Sequence, residues 1–306
     1  MTLKFARLGT AGNEQPAVIA QDADGTEKYF SLTALTNDID GGFLASDGIE
    51  RTREALNKGE LPEISPEGLR IGAPVARPGA VVAIGLNYTA HAAESGATPP
   101  EVPVVFLKPT NTISGPFDAA PIPPSSTKYD WEVELAIVIG QEASYLSTVT
   151  EAAACIAGYA VANDLSEREY QIPGAAGQWT KGKSLPGSTP LGPWLVPAND
   201  IDAGNLRLQT LVNGEPRQDS NTSDMIFEPA TIVHHLSQYM VLEPGDVIIT
   251  GTPEGVALSG RFPFIQPGDV VELEIEGLGR QRQEYFQTNA AQAGAAQAVS
   301  LAGTHA

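Results

Sequence analysis

The most informative segment of the chain is a predicted β-strand, Tyr129-Asp130-Trp131-Glu132-Val133-Glu134-Leu135-Ala136-Ile137-Val138-Ile139. Because successive side chains of a strand point to opposite faces, one face carries a continuous apolar stripe. The stripe consists of Trp131, Val133, Leu135, Ile137 and Ile139. The opposite face begins with three acidic residues and ends with two apolar ones, so it is not simply the solvated side of a sheet.

Two carboxylates on that second face, Glu132 and Glu134, lie one strand step apart. Like charges at this spacing repel each other unless a cation lies between them. Carboxylate oxygens suit Mg²⁺, Mn²⁺ or Ca²⁺ better than softer metals. The pattern therefore indicates a cation site. Two glutamates without a third ligand are, however, also explained by a strand edge that faces solvent.

A third carboxylate, Asp164, follows the apolar strand pattern at 156–162 and the polar Asn163. An aspartate at the end of a strand is well placed to complete a set of three oxygen ligands. The alternative is that Asp164 caps a short helix that begins at 166–168.

The composition of the 306 residues excludes several kinds of protein. The 18 Lys+Arg and 37 Asp+Glu give a formal net charge of −19, which disfavours binding to nucleic acid or to anionic membranes. One cysteine, Cys155, forms no internal disulfide and no multi-thiolate zinc site. No run approaches the roughly 18 apolar residues of a membrane helix, and the N-terminus lacks the apolar core of a signal peptide. We therefore expect a cytoplasmic protein.

The pattern of turns and apolar runs predicts an α+β fold, mostly β, with a compact barrel or roll. We expect a small N-terminal α/β domain at 1–72, a main domain at 73–287 and a low-complexity tail at 288–306. Individual predictions include a helix at 46–58, a linker at 62–79, a helix at 148–157 with a strand at 158–163, and a Gly/Pro-rich loop at 172–190. His234 and His235 lie in a predicted helix at 229–240 and are expected to be structural.

Several ordered motifs across residues 80–286 resemble the fumarylacetoacetate hydrolase family. They are the strand segment 129–135, Ala162-Asn163-Asp164-Leu165-Ser166-Glu167-Arg168, Gln178-Trp179-Thr180-Lys181-Gly182-Lys183-Ser184 with Gly192-Pro193-Trp194, and Pro244-Gly245-Asp246 with Thr250-Gly251-Thr252-Pro253-Glu254-Gly255-Val256. Within the family the chain is most similar to bacterial hydrolases of 2,4-diketo acids, including those of 2,4-diketo-3-deoxy-L-fuconate. The resemblance implies the family's mixed β-roll or barrel and a homodimer.

The resemblance also implies a metal site. Glu132, Glu134 and Asp164 match the positions that bind Mg²⁺ or Mn²⁺, and Ca²⁺ is a further possibility. The open coordination positions would take the carboxylate and ketone oxygens of an α-keto acid. The cation would then polarise the ketone.

Other residues match the family's catalytic and substrate positions. His91 and Glu94, three residues apart on a helical turn, match the pair that activates water within a lid segment; an exposed histidine in a flexible loop is the alternative. Lys183 matches the active-site lysine. The remaining matches are substrate-facing positions, namely Arg168, Gln171 and Thr252, of which Arg168 has an equally good structural interpretation.

The sequence departs from the family pattern at three positions. Pro186 and Ser188 stand where an aspartate and an aromatic residue are usual, and Glu254 replaces an uncharged residue. We expect these changes to affect the walls of the substrate pocket.

The function predicted is metal-dependent hydrolysis of a C–C bond in a ketonic substrate. The substrate would be an anionic 2,4-diketo acid, either an acylpyruvate or a 2,4-diketo-3-deoxy sugar acid, and one product would be pyruvate. Two alternatives stay open. One is oxaloacetate decarboxylation or keto–enol or double-bond isomerisation with the same metal chemistry. The other is a catalytically silent family member.

Overall fold

The computed structural model of the chain describes residues 2–21, 24–172 and 177–288. Its strands are β1 (Lys4–Leu8), β2 (Gln15–Gln21), β3 (Glu27–Ser31), β4 (Glu63–Ile64), β5 (Val81–Gly85), β6 (Val104–Lys108), β7 (Ile113–Ser114), β8 (Ala120–Ile122), β9 (Tyr129–Asp130), β10 (Val133–Ile139), β11 (Ile156–Asn163), β12 (Ser166–Glu167), β13 (Thr189–Pro190), β14 (Val196–Pro197), β15 (Arg207–Val212), β16 (Glu215–Asn221), β17 (Val247–Ile249), β18 (Val270–Ile275) and β19 (Gly279–Gln287). Its helices are α1 (Gly41–Ala45), α2 (Gly48–Asn57), α3 (Thr89–Glu94), α4 (Val149–Ala154), α5 (Arg168–Gln171), α6 (Thr180–Lys183) and α7 (Pro229–Ser237).

Three larger sheets make up most of the fold. They are a four-stranded sheet in the order β1-β2-β3-β4, a six-stranded sheet in the order β14-β11-β10-β17-β5-β6, and a five-stranded sheet in the order β16-β15-β18-β19-β8. The prediction of a mostly-β α+β fold is confirmed. The barrel form of that prediction is wrong, because closure needs the two edge strands of a sheet to pair, and β14 and β6 lie at opposite open edges of the six-stranded sheet.

The main core lies between the six-stranded and the five-stranded sheets. The predicted apolar stripe of β10 enters it through Val133, Leu135 and Ile137, which are fully buried. The opposite face of β10 is buried too, since Ala136 packs in a cluster of small side chains and Val138 contributes to the core of the N-terminal sheet. Burial on both faces explains why this strand has no alternating polar pattern along its second half.

The N-terminal region has a sheet and a core of its own. Strands β2 and β3 pair antiparallel, and α2 lies within the predicted helix. The predicted linker at 62–79 contains a strand, because β4 pairs with β3 through Tyr29 and Ile64. The domain boundaries stay a prediction. Residues 289–306 of the predicted tail lie outside the described residues, and so do residues 22 and 23 of the turn between β2 and β3.

Three element boundaries differ from the predictions. The predicted strand 129–139 is divided at Trp131 and Glu132, because their backbone N–H groups donate to the side-chain oxygens of Asp130 and Asn163, at 2.9 and 3.1 Å, and not to a strand partner. Helix α4 ends at Ala154, and β11 already begins at Ile156, which pairs with Ile139. The predicted loop 172–190 contains α6 and the short strand β13.

Among the described residues, no helix has the length and the hydropathy needed to cross a membrane. The homodimer stays a prediction.

Candidate active site

The register between β10 and β11 brings the predicted metal ligands together. Val133 pairs with Asn163, so the next positions along the two strands, Glu132 and Asp164, face each other. The backbone N–H of Asp164 donates to the carbonyl of Glu132 at 3.0 Å. Glu134 follows Glu132 by two residues and shares its face. One carboxylate oxygen from each of Glu132, Glu134 and Asp164 lies within 4.8 Å of the others.

The simpler interpretations of these carboxylates are wrong. A solvated strand edge is excluded because Glu132 is 5% exposed and Glu134 is 1% exposed. Asp164 does not cap the following helix, since Glu167 occupies that position and accepts from the backbone N–H groups of Glu169 and Tyr170.

The chemistry of the donor set fits a hard divalent cation. Burial, together with the charges of Asp164 and Glu132, raises the pKa of Glu134 well above its usual range. The protein offers this carboxylate one hydrogen bond, from the backbone N–H of Gly251 at 2.7 Å, and no direct ion pair among the described residues. A dication held by the three oxygens would stabilise the ionised form of Glu134.

Lys183 lies between two of the three carboxylates. From the end of α6, its Nζ atom donates to Oε2 of Glu132 and to Oδ2 of Asp164, each at 2.6 Å. Burial alone would lower the pKa of Lys183, but the charges of Asp164 and Glu132 raise it. Burial would also raise the pKa of Glu132, yet the charges of Lys183 and Arg168 hold it at about 2. Lys183 is therefore a buried cation.

A second buried lysine, Lys108, was missed by the sequence analysis. Its Nζ atom bonds Oδ1 of Asp164 and donates to the carbonyl of Ser188 at 2.8 Å. Burial lowers the pKa of Lys108, and the charge of Asp164 opposes that effect. The available signal was weak, namely a lysine directly after the apolar run 104–107.

His91 and Glu94 share one side of α3, as their spacing predicts. His91 is buried, which rules out the exposed-loop alternative, and its Nδ1 atom lies 3.6 Å from Oε2 of Glu94. Glu94 also accepts from the backbone N–H of Gly255 and from Arg261. Burial lowers the pKa of His91, and the charge of Arg168 adds to this effect while the charges of Glu132 and Glu94 oppose it. The imidazole is therefore neutral at neutral pH.

The start of α3 is fixed by Asn87. Its side-chain amide donates to the carbonyls of Thr250 and Phe227, and its side-chain oxygen accepts from the N–H of Phe227. Strands β5 and β17 are parallel neighbours, so their ends place Asn87 beside the loop that begins at Gly251. Gly251 has φ +96°, and a Cβ atom there would lie 2.9 Å from the Cβ of Asn87. The chain therefore needs glycine at this close approach.

Arg168 is held by three side chains, those of Asp130, Glu132 and Gln171. Its Nε atom donates to Oδ2 of Asp130 at 2.8 Å, and its Nη1 atom lies 2.8 Å from Oε1 of Glu132 and donates to Oε1 of Gln171 at 2.9 Å. Asp130 also accepts from the backbone N–H groups of Ala257 and Leu258. Asp130, a second residue that the sequence analysis gave no role, thus joins Arg168 to the loop after Thr252.

The hydroxyl group of Thr252 has two partners in the protein. It donates to the carbonyl of Val133 at 2.9 Å and accepts from the amide of Gln218 at 2.8 Å. Gln218 is buried and also accepts from the N–H of Val133. These bonds fix the Gly-Thr-Pro loop against β10.

All nine predicted site residues line one cavity of about 460 Å³. They are His91, Glu94, Glu132, Glu134, Asp164, Arg168, Gln171, Lys183 and Thr252. Pro186, Ser188 and Glu254 are not among the lining residues, so the prediction that they form pocket walls is wrong. Ser188 instead lies behind the lysines, where its hydroxyl donates to the carbonyl of Lys183 at 3.0 Å. His234 and His235 lie in α7, away from the lining.

Three buried carboxylates lie beside a histidine–glutamate pair in a mostly-β α+β fold, an arrangement that suits a divalent cation. The chain belongs to the fumarylacetoacetate hydrolase family, since the family model for the fumarylacetoacetate (FAA) hydrolase C-terminal domain matches residues 80–285. The resemblance seen in the sequence is thereby confirmed.

Known relatives include both hydrolases and isomerases. A Burkholderia multivorans protein with a provisional name of hydrolase is 46% identical over 287 residues, which cover 92% of this chain and 98% of that protein. The solved 2-hydroxyhepta-2,4-diene-1,7-dioate isomerase from Mycobacterium marinum is 31% identical, with TM-score 0.73 over 94% of this chain and 99% of that one. Maleylpyruvate hydrolase from Sphingobium sp. SYK-6, solved with manganese(II) and pyruvate, is 26% identical, with TM-score 0.74 over 94% of this chain and 100% of that one.

Proposed function

We propose that the protein hydrolyses a C–C bond of a 2,4-diketo acid in a metal-dependent reaction that releases pyruvate and a second carboxylic acid. The observation that carries the proposal is one cavity in which a triad of buried carboxylates lies beside a neutral, buried histidine with a carboxylate partner. The similarity to a maleylpyruvate hydrolase solved with manganese(II) and pyruvate supports it.

Three residues would hold the cation, namely Glu132, Glu134 and Asp164. Mg²⁺ and Mn²⁺ suit this oxygen donor set. When bound, the cation supplies Lewis-acid polarisation of the 2-keto group and a counter-charge for the substrate carboxylate. Since the whole protein carries a formal net charge of −19, long-range attraction does not bring the anionic substrate in. Binding must depend on local positive charge.

His91 acts as the general base in this mechanism. Its lowered pKa keeps the imidazole unprotonated at neutral pH, so it can accept a proton from water. Oε2 of Glu94 lies 3.6 Å from Nδ1 of the ring, so the carboxylate faces the Nδ1 side and leaves Nε2 for the water. The water oxygen then forms a bond to the 4-keto carbon as its proton passes to His91.

Lys183 offsets negative charge as the substrate is cleaved. After water addition, the bond between the third and fourth carbons breaks, and its electron pair passes to the pyruvyl half. The pKa of Lys183 is raised, so its ammonium group stays protonated beside the oxygens on which this charge develops. Protonation of the pyruvyl carbon completes the products, pyruvate and the carboxylic acid of the acyl group, with one water consumed.

The proposal is tested by assaying pyruvate release from a panel of acylpyruvates with Mg²⁺, with Mn²⁺ and after chelation. We expect equimolar pyruvate and carboxylic acid in the presence of either cation, and loss of both products after chelation. The proposal would be overturned if no member of the panel were cleaved with either cation.

A second candidate function is double-bond or keto–enol isomerisation, or decarboxylation of oxaloacetate. It is favoured by the 31% identity to a 2-hydroxyhepta-2,4-diene-1,7-dioate isomerase. Decarboxylation needs no attacking water, so a His91→Ala variant would keep most of that activity. Hydrolysis would collapse in the same variant, and the comparison separates the two functions.

A further inference from the structure

The cavity has two chemically different walls. The two cations that line it, Arg168 and Lys183, lie on the wall of the proposed metal ligands, since both contact Glu132 and Lys183 also contacts Asp164. Much of the remaining lining is apolar, including Leu86, Phe106, Ile172, Trp179 and Leu258. A substrate whose α-keto acid half lies at the carboxylates would therefore have its acyl half against an apolar surface.

Two aromatic rings form the firmest part of the apolar wall. Phe106 and Trp179 pack edge to face with their ring centroids 5.7 Å apart. Nζ of Lys183 lies 5.5 Å from the centroid of Phe106, so the aromatic wall begins directly beside the charged one. A Cβ atom at Gly85 would lie 2.2 Å from the Trp179 ring, so the ring packs directly on the backbone of β5. This contact fixes the position of the indole.

The positive charges near the cavity already have carboxylate partners. Arg168 bonds Asp130 and Glu132, and Lys183 bonds Glu132 and Asp164. Arg261, which follows the lining residues 258 and 259 in the chain, bonds Glu94. A carboxylate on the acyl half of a substrate would thus find no free cation among the described lining residues.

We infer, on the basis of the proposed function, that the cavity selects acylpyruvates with an apolar acyl group over those whose acyl group carries a carboxylate or several hydroxyls. A charged or hydroxylated chain packed against the side chains of Phe106 and Leu258 loses water and gains no hydrogen bond from either of them, which weakens binding. An aliphatic or aromatic acyl chain instead gains from the same contacts. The preferred substrate class is therefore an aliphatic or aromatic acylpyruvate and not a sugar acid.

The test compares two substrates of nearly equal shape. 4-Methylpentanoylpyruvate and succinylpyruvate differ by an isopropyl group in place of a carboxylate, and a polyhydroxylated 2,4-diketo-3-deoxy acid is the third member. We expect kcat/KM for the isopropyl compound to exceed that of each of the others by at least about tenfold. Equal or greater kcat/KM for either polar substrate overturns the inference and leaves the proposed hydrolysis standing. No pyruvate from any of the three overturns both.

A charge placed on the apolar wall tests the cause of the selectivity. Leu258 is 37% exposed, so Leu258→Lys places an ammonium group at the lining without burying it fully. We expect the preference for the isopropyl compound over succinylpyruvate to fall at least about fivefold in this variant. The matched control is Leu107→Lys, since Leu107 follows Phe106 in β6 but is exposed and not part of the lining. An unchanged preference in Leu258→Lys, or an equal change in Leu107→Lys, contradicts the inference.

Discussion

Nδ1 of His91 lies 3.6 Å from Oε2 of Glu94, which is three residues further along the six-residue helix α3. The carboxylate is itself fixed by the backbone N–H of Gly255 and by Arg261, so the pair belongs to a chain of contacts that crosses from α3 to the Gly-Thr-Pro loop. This arrangement orients a neutral imidazole at the edge of the carboxylate triad.

Replacement of the base removes hydrolysis without removing the metal site. We expect His91→Ala to lower kcat for acylpyruvate cleavage at least about 100-fold, because general-base catalysis typically contributes that much. Binding of Mn²⁺, measured by calorimetry, should change little. The control is His235→Ala in α7, which should keep wild-type kcat. Hydrolysis in His91→Ala above about a tenth of the wild-type rate would contradict the role assigned to His91.

The pH dependence of kcat/KM reports the lowered pKa of His91. A base is active when unprotonated, and burial moves the pKa of His91 below its ordinary value of 6.5. Activity should therefore be full at pH 7 and fall only as the pH drops through a midpoint below 6.5. In Glu94→Gln the midpoint should move lower still, because a negative charge that raises the pKa of His91 is removed. A midpoint above 6.5 in the wild type would contradict this account.

Removal of one metal ligand should stabilise the metal-free protein. The pKa of Glu134 is raised in the folded state, so its ionised form costs stability at a pH above that pKa, by about 1.4 kcal/mol for each unit of the shift. We expect Glu134→Gln to have a higher melting temperature than the wild type at pH 8 in chelator. Saturating Mn²⁺ should raise the wild-type melting temperature and have much less effect on the variant. A variant less stable than the wild type in chelator would refute the prediction.

The buried lysine behind Asp164 should matter more for stability than an exposed one. Loss of one partner of a buried ion pair typically costs about 3 kcal/mol or more, so Lys108→Met should lower the free energy of unfolding in chelator by about that amount. The matched control is Lys128→Met, since Lys128 and Glu169 form an exposed pair at 3.0 Å. This change should cost less than about 1 kcal/mol. If urea denaturation showed the same loss of unfolding free energy in both variants, the prediction that the buried pair of Lys108 contributes more to stability would be wrong.

The fold class and the main strand could be predicted from the sequence, because the spacing of apolar residues along a strand depends only on neighbouring residues. The apolar stripe of β10 was evident from its residues, and so were the Gly- and Pro-containing turns between strands. Sheet closure was not predictable, since it depends on whether distant edges such as those of β6 and β14 meet. The break between β9 and β10 depends in part on Asn163, which lies 31 residues away along the chain and whose side-chain oxygen accepts from the backbone N–H of Glu132.

The residues of the candidate site could be predicted where they matched positions of the family. The quoted family motifs contained six of the nine site residues, and the other three, His91, Glu94 and Gln171, matched family positions outside those motifs; all nine line the cavity. Lys108 and Asp130 were missed because their partners lie far away in the chain. These are Asp164 and Ser188 for Lys108, and Arg168, Ala257 and Leu258 for Asp130. The role of Ser188 was misjudged for the same reason, since its position behind the lysines follows from packing and not from its neighbours in the chain.

The central claim is that water attacks the 4-keto carbon of a 2,4-diketo acid, and an isotope measurement tests it most directly. The enzyme is incubated with 4-methylpentanoylpyruvate and Mn²⁺ in oxygen-18-labelled water, and the products are analysed by mass spectrometry at early times, with an enzyme-free sample to correct for exchange of the ketone oxygens. The account predicts pyruvate and 4-methylpentanoic acid in equal amounts, with label from the solvent in the new carboxyl group of the acid. A reaction that consumes this substrate without forming the labelled acid would contradict hydrolysis.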